Sequence, residues 1–99
     1  MTLPVDLAPE EDRLQQFEKW IDQGDGHLSR MEYPDAEFFY LQALACADHL
    51  PARRKSLAAL ARIKLACLYD HWGDLRASIS QVVEATQLLT GQPPGRARA

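Results

Sequence analysis

The chain has 99 residues, of which 46% are hydrophobic and 25% charged, and its formal net charge is −3. This length favours a single domain, and the composition is ordinary for a soluble globular protein. Apolar runs stay far short of the roughly 18 to 20 residues that a membrane span needs. The basic residues are few and partly C-terminal, so we expect neither a nucleic acid nor a membrane as partner.

The first half of the chain predicts two helices. Residues 1–8 lack periodicity and are expected to form a flexible lead. A helix is predicted from Pro9 to about Met31, because apolar residues recur there at three- and four-residue steps. These are Leu14, Phe17, Trp20 or Ile21, and Leu28. Pro34 suits the first turn of a new helix that continues to about His49.

The second half predicts two more helices and a tail. A third helix is expected over residues 52–71, and Gly73 suits its left-handed C-cap. A fourth covers about residues 75–90, and Gly91 caps it. The apolar residues that indicate this helix are Ile79, Val82, Val83, Ala85 and Leu89. Residues 92–99, QPPGRARA, are expected to be disordered.

The two predicted hairpins repeat one another at an offset of 42 residues. Gly24 aligns with Ala66, Tyr40 with Val82, and Ala43 with Ala85. The pattern resembles the tetratricopeptide repeat, which follows W-x2-L-G-x2-Y, then A-x3-F, then P over about 34 residues. The first hairpin matches it with Trp20, Gly24, Tyr33, Ala36, Tyr40 and Ala43, and the second with Leu65, Ala66, Tyr69, Val82 and Ala85. The resemblance covers residues 17–91.

This resemblance implies an all-α fold: a domain over residues 9–91 with two antiparallel helical hairpins, four helices in all, in a short right-handed superhelix. It also implies that the first helix of each hairpin lines a groove for a partner. The predicted groove comprises Glu18, Ile21, Asp22, Asp25, Leu28, Leu60, Ile63, Lys64, Cys67, Asp70 and His71. Relatives that clamp a peptide carboxylate use paired Lys and Asn at such positions. Ile21, Asp25, Ile63 and Cys67 stand there instead, so a carboxylate clamp is not expected.

The third helix is apolar around much of its circumference, which is unusual for a surface helix. Leu60, Ile63 and Cys67 follow one stripe, separate from the residues expected to face the core. We therefore predict a small non-catalytic protein-interaction module that holds an amphipathic helix or extended peptide in an apolar, acid-edged groove. One alternative is a homodimeric scaffold whose groove is filled by its twin.

A second alternative is a small enzyme or metal-binding subunit that uses His and Cys side chains. His27, His49 and His71 fall on different predicted helices, and a site needs convergent partners. Cys46 and Cys67 form no CxxC pair or Cys/His cluster. We expect no cofactor, no metal and no catalysis, in a reduced, cytoplasmic protein without a signal peptide.

Charge is distributed unevenly along the chain. Residues 1–50 carry a net charge of −8, and residues 51–99 carry +5. Arg53 and Arg54 lie at the predicted start of the third helix, where basic groups oppose the helix dipole. This conflict predicts an acidic partner for them, such as residues 10–12 of the same chain or of a second copy.

Overall fold

The computed structural model describes residues 9–91, and this part of the chain is all-α, without a strand. It contains α1 (Glu10–Ser29), α2 (Tyr33–Asp48), α3 (Lys55–Trp72) and α4 (Leu75–Thr90), with a short 3₁₀ turn (Ala52–Arg54) before α3. The four predicted helices are confirmed, and α4 has the predicted bounds. Residues 52–54, predicted as the start of the third α-helix, form the 3₁₀ turn instead. The predicted lead and tail lie outside the described residues.

Consecutive helices form two hairpins that pack side by side. α1 packs along α2, α3 packs along α4, and α2 joins the hairpins by packing against α3. The core lies among α1, α2 and α3 and consists mainly of Phe17, Ile21, Ala36, Tyr40, Ala43, Cys46, Ala47, Ala58, Ala61, Leu65 and Leu68. Small residues on α2 and α3 let the two backbones approach closely, so the larger side chains of the core interdigitate.

Gly24 lies where the Tyr40 ring crosses α1. A Cβ atom added at this glycine would overlap the Cδ1 and Cε1 atoms of the ring and lie 3.1 Å from its Cζ atom. The ring itself is fully buried, so it has little space in which to move away. The absence of a side chain at Gly24 therefore permits the close approach of Tyr40 to α1. Gly26 differs, since an added Cβ would meet only the end of the Arg30 side chain at 3.7 Å.

Met31 turns the chain between α1 and α2. Its φ of 62° lies in the left-handed region, which non-glycine residues rarely adopt. Its amide donates to the carbonyl of Leu28, and the next amide, of Glu32, donates to the carbonyl of His27, both at 2.9 Å. These bonds satisfy carbonyls at the end of α1. α2 then begins at Tyr33, with Pro34 in its first turn as predicted.

Most of the apolar residues that predict α4 do not face the core. Of the five, only Ala85 is buried; Ile79, Val82, Val83 and Leu89 are exposed. Ser78 and Ala85, both small, face α3, and the Ser78 hydroxyl donates to the Ala66 carbonyl at 2.9 Å. α4 therefore packs towards α3 through the small Ser78 and Ala85 and through the partly buried Leu88. Its exposed apolar side chains lie on another side of the helix.

Glu10 joins the start of α1 to the turn before α3. Its two carboxylate oxygens accept hydrogen bonds from Arg54 at 2.8 Å and from Arg53 at 2.5 Å. The Arg54 hydrogen bond, with the nearby Arg53 charge, lowers the pKa of the Glu10 carboxyl. The predicted acidic partner of these arginines is therefore confirmed and belongs to the same chain.

Candidate partner-binding groove

A cleft of about 340 Å³ opens between α1 and α3. We call this the α1–α3 cleft; it is lined by Leu14, Phe17, Glu18, Ile21, Asp22, Leu57 and Leu60. The structure thus brings together four residues of the predicted groove: Glu18, Ile21, Asp22 and Leu60. Ile21 is largely buried and forms part of the floor, whereas the two carboxylates are exposed at the edge.

Asp25 and Lys64 lie further along the same two helices and bind each other. The Lys64 ammonium donates to the Asp25 carboxylate at 3.1 Å, which bridges α1 and α3. The other Asp25 oxygen accepts the Tyr40 hydroxyl at 2.5 Å. Burial, and then this hydrogen bond, raise the pKa of the Tyr40 phenol. Asp25 therefore has a structural role in the fold, and the acidic edge available to a partner is formed by Glu18 and Asp22.

The apolar stripe predicted on α3 is exposed. The exposed fractions of the Leu60 and Ile63 side chains are 37% and 43%, and Cys67 is also exposed one turn further on. Asp70 and His71 lie exposed at the C-terminal end of α3. The stripe therefore continues the apolar surface of the α1–α3 cleft along α3.

The remaining predicted groove residues have local partners. Nδ1 of His71 lies 2.8 Å from the Cys67 carbonyl oxygen, one helical turn earlier. Leu28 is partly buried and packs against the core. Neither residue lines the α1–α3 cleft.

Three residues that line the cleft are absent from the predicted groove: Leu14, Phe17 and Leu57. Their apolar spacing placed them on core-facing stripes, and Phe17 is indeed buried. The available signal was that Leu14 and Phe17 precede Ile21 at helical steps, so that all three share a face of α1. A residue at the border of a core contributes to the core and to an adjacent cleft at once.

A titratable cluster lies at the corner between α1 and α2. His27, Glu32 and Asp35 have potential metal-ligand atoms within 4.8 Å of one another. His27 Nδ1 lies 2.6 Å from a Glu32 oxygen, and Arg30 donates to the same oxygen at 3.1 Å. Hydrogen bonds from these two residues, His27 first, lower the pKa of the Glu32 carboxyl. A guanidinium thus already neutralises this carboxylate, and its positive charge opposes the binding of a cation.

Comparison of the chain with models of known protein families, with curated proteins and with solved structures finds no match. Within residues 9–91, the helices are too short or too polar to cross a lipid bilayer.

Proposed function

We propose that this protein is a small, non-catalytic protein-interaction module of the tetratricopeptide-repeat kind, in which α1 and α3 hold a partner helix or extended peptide. The observation that carries the proposal is the α1–α3 cleft, continued along α3 by the exposed side chains of Leu60 and Ile63. A concave surface with an apolar floor and a few polar groups at its edge is the usual form of a binding site. The proposal includes the right-handed superhelical arrangement of the two hairpins that the resemblance implies.

Charge indicates the character of the partner. Glu18 and Asp22 line the cleft and are exposed. An amphipathic helix with apolar anchors and basic flanking residues would cover Leu60 and Ile63 and place cations near these carboxylates. Lys64, the basic residue predicted for this groove, is paired with Asp25, so it is engaged within the fold.

The non-catalytic part of the proposal rests on the surroundings of the three histidines. His27 interacts with Glu32, and His71 with the Cys67 carbonyl. His49 lies at the end of α2, where its carbonyl accepts a hydrogen bond from Arg13. The rings of His27 and His71 thus have separate local partners, whereas an acid–base or nucleophilic site needs groups that converge on one substrate. Free Cys46 and Cys67 support placement in a reducing compartment, the cytoplasm.

Selection from a random peptide library tests the function directly. Peptides are selected on the full chain, and their binding is then measured on Leu60→Glu/Ile63→Glu. A matched control, Leu75→Glu/Ile79→Glu, places the same two charges on an exposed leucine and an exposed isoleucine outside the cleft. We expect basic amphipathic peptides that bind the parent and the control but lose at least about tenfold in affinity for the double variant. Selected peptides that bind all three proteins equally would refute the groove.

A further inference from the structure

α4 carries an apolar face that no other described helix covers. The exposed fractions of its side chains are 63% at Leu75, 54% at Ile79, 48% at Val82 and 52% at Leu89, and Val83 borders them. We call these five residues the outer face of α4. Together with Thr86, four of these residues form the series 75, 79, 82, 86 and 89. Its steps alternate between four and three residues, which is the spacing of a helix–helix seam. The face is therefore patterned to receive another helix.

The internal repeat shows how the corresponding face of α2 is used. The offset of 42 residues aligns Leu75, Ile79, Val82 and Leu89 with Tyr33, Glu37, Tyr40 and Ala47 of α2. Those α2 positions lie against α3 or in the core. The Tyr33 ring centroid lies 5.8 Å from that of Trp72, and Glu37 accepts the Tyr69 hydroxyl at 2.6 Å. Tyr40 and Ala47 are buried. Leu75 and Ile79 of the outer face thus occupy positions through which α2 contacts its next helix.

The opposite edge of the protein does not complement this face. α3 meets the core beside α2 through Ala58, Ala61, Leu65 and Leu68. The same offset aligns these with Gln16, Lys19, Gln23 and Gly26 of α1. A head-to-tail stack of copies would press Lys19 and two glutamines against the apolar face of α4, which is unfavourable. Continued stacking of this chain is thereby disfavoured, whereas a two-fold arrangement brings the same apolar face together from both copies.

We propose that a second copy of this chain covers the outer face of α4, with the two α4 helices antiparallel about a two-fold axis near Val82. Leu75 and Leu89 each lie seven residues from Val82, so this axis brings Leu75 of one copy towards Leu89 of the other. The outer face itself carries no charged side chain. Glu84, elsewhere on α4, pairs with Arg62 at 2.6 Å. The pairing therefore buries mainly apolar side chains.

The size of the face sets the expected strength of the dimer. Five side chains, each about half exposed, bury roughly 1,000 Å² over the two copies, which is the lower limit for a specific interface. We therefore expect a reversible dimer with a dissociation constant in the micromolar range. This interface is separate from the α1–α3 cleft, so the proposal stands or falls independently of peptide binding.

Sedimentation equilibrium of the full chain over the micromolar range tests the proposal. We expect a reversible monomer–dimer equilibrium, and we expect Ile79→Glu/Val82→Glu to lower its association constant at least about tenfold. Leu60→Glu/Ile63→Glu is the matched control and should leave the equilibrium unchanged. A monomer at every concentration would overturn the proposal. A dimer that persists in the α4 variant would also overturn it. A dimer that is lost only in the Leu60→Glu/Ile63→Glu control would overturn it as well and would indicate that a second copy fills the α1–α3 cleft.

Disulfide trapping supplies a second measurement that does not depend on the effect of added charge. Val82→Cys is made in a Cys67→Ser background, because Cys67 is the exposed cysteine of the described residues. Mild oxidation should link two copies through residue 82, since side chains next to a two-fold axis lie close to their symmetry mates. Ser80→Cys is the control, because Ser80 is exposed but lies about 200° around the helix from Val82. Equal cross-linking at both positions would contradict the proposed axis.

Discussion

Two glycines on one helix provide a matched test of the α1–α2 packing. Gly24→Ala and Gly26→Ala make the same chemical change two residues apart within α1. Each gains about 1 kcal/mol of intrinsic helix propensity, because alanine loses less backbone entropy than glycine. Any difference between the variants therefore reports the surroundings of the added methyl group.

The structure predicts a large difference. The methyl group at position 24 would overlap the buried Tyr40 ring, whereas the one at position 26 makes ordinary contact with Arg30 at 3.7 Å. The ring is also held by its hydroxyl, which donates to Asp25 at 2.5 Å. Overpacking of this kind costs about 1 to 3 kcal/mol. We expect Gly26→Ala to stabilise the protein by up to about 1 kcal/mol and Gly24→Ala to be less stable than it by about 1 to 3 kcal/mol.

Urea unfolding followed by circular dichroism measures both free energies, and thermal melting gives a second value. For a domain of this size, 1 kcal/mol corresponds to about 4 to 8 °C in Tm. Adding Tyr40→Val to Gly24→Ala provides the control, since the second hairpin combines Ala66 with Val82 at the aligned positions. The double variant should therefore have nearly the free energy of unfolding of Tyr40→Val alone, because valine removes most of the overlap with the added methyl group. Equal stability of the two glycine variants would refute the close approach of α2 to α1.

Three further predictions concern stability. Met31→Gly should raise the free energy of unfolding by about 1 to 2 kcal/mol in urea titrations, because glycine adopts the left-handed conformation without the steric penalty of a Cβ; no gain would contradict the turn. Ala66→Leu should lower it by about 1 to 3 kcal/mol, since Ala66 is buried where Ser78 binds α3. Burial, then hydrogen bonds to carboxylates, raise the pKa values of Tyr40 and Tyr69. The stabilisation that these two phenols contribute should therefore be constant below about pH 10 and be lost above it, where the phenols of the unfolded chain ionise first; substituting both with Phe should flatten this loss.

The sequence predicts helix ends well where side chains or glycines mark them. Asp74 accepts the Ala77 amide at 3.1 Å, and Gly91 has a φ of 74°, so both ends of α4 carry local signals. Met31 carries no such signal, because methionine has no preference for the left-handed conformation that it adopts here. The 3₁₀ turn before α3 also carries no signal of its own, because no proline or glycine separates residues 52–54 from the helix that follows.

The site was predictable in part for a related reason. The excess of apolar residues around α3 predicts that some remain exposed, and Leu60 and Ile63 do so. The pairing of Asp25 with Lys64 depends on how closely α1 approaches α3, which no local pattern specifies. The apolar spacing along α4 predicts a helix but not which side is covered, because an apolar stripe looks the same whether a described helix covers it or not. The residues of α4 that pack towards α3 are Ser78, Ala85 and the partly buried Leu88.

The proposed function requires that the exposed side chains of Leu60 and Ile63 bind a partner and contribute little to the stability of the fold. The most direct test measures Leu60→Glu/Ile63→Glu twice, by thermal melting and by titration with a fluorescent peptide selected on the parent chain. Because both side chains are more than one third exposed, we expect the melting temperature and helicity to stay close to those of the parent while peptide affinity falls at least tenfold. A variant that unfolds, or one that melts normally and still binds the peptide with the affinity of the parent, would contradict the account.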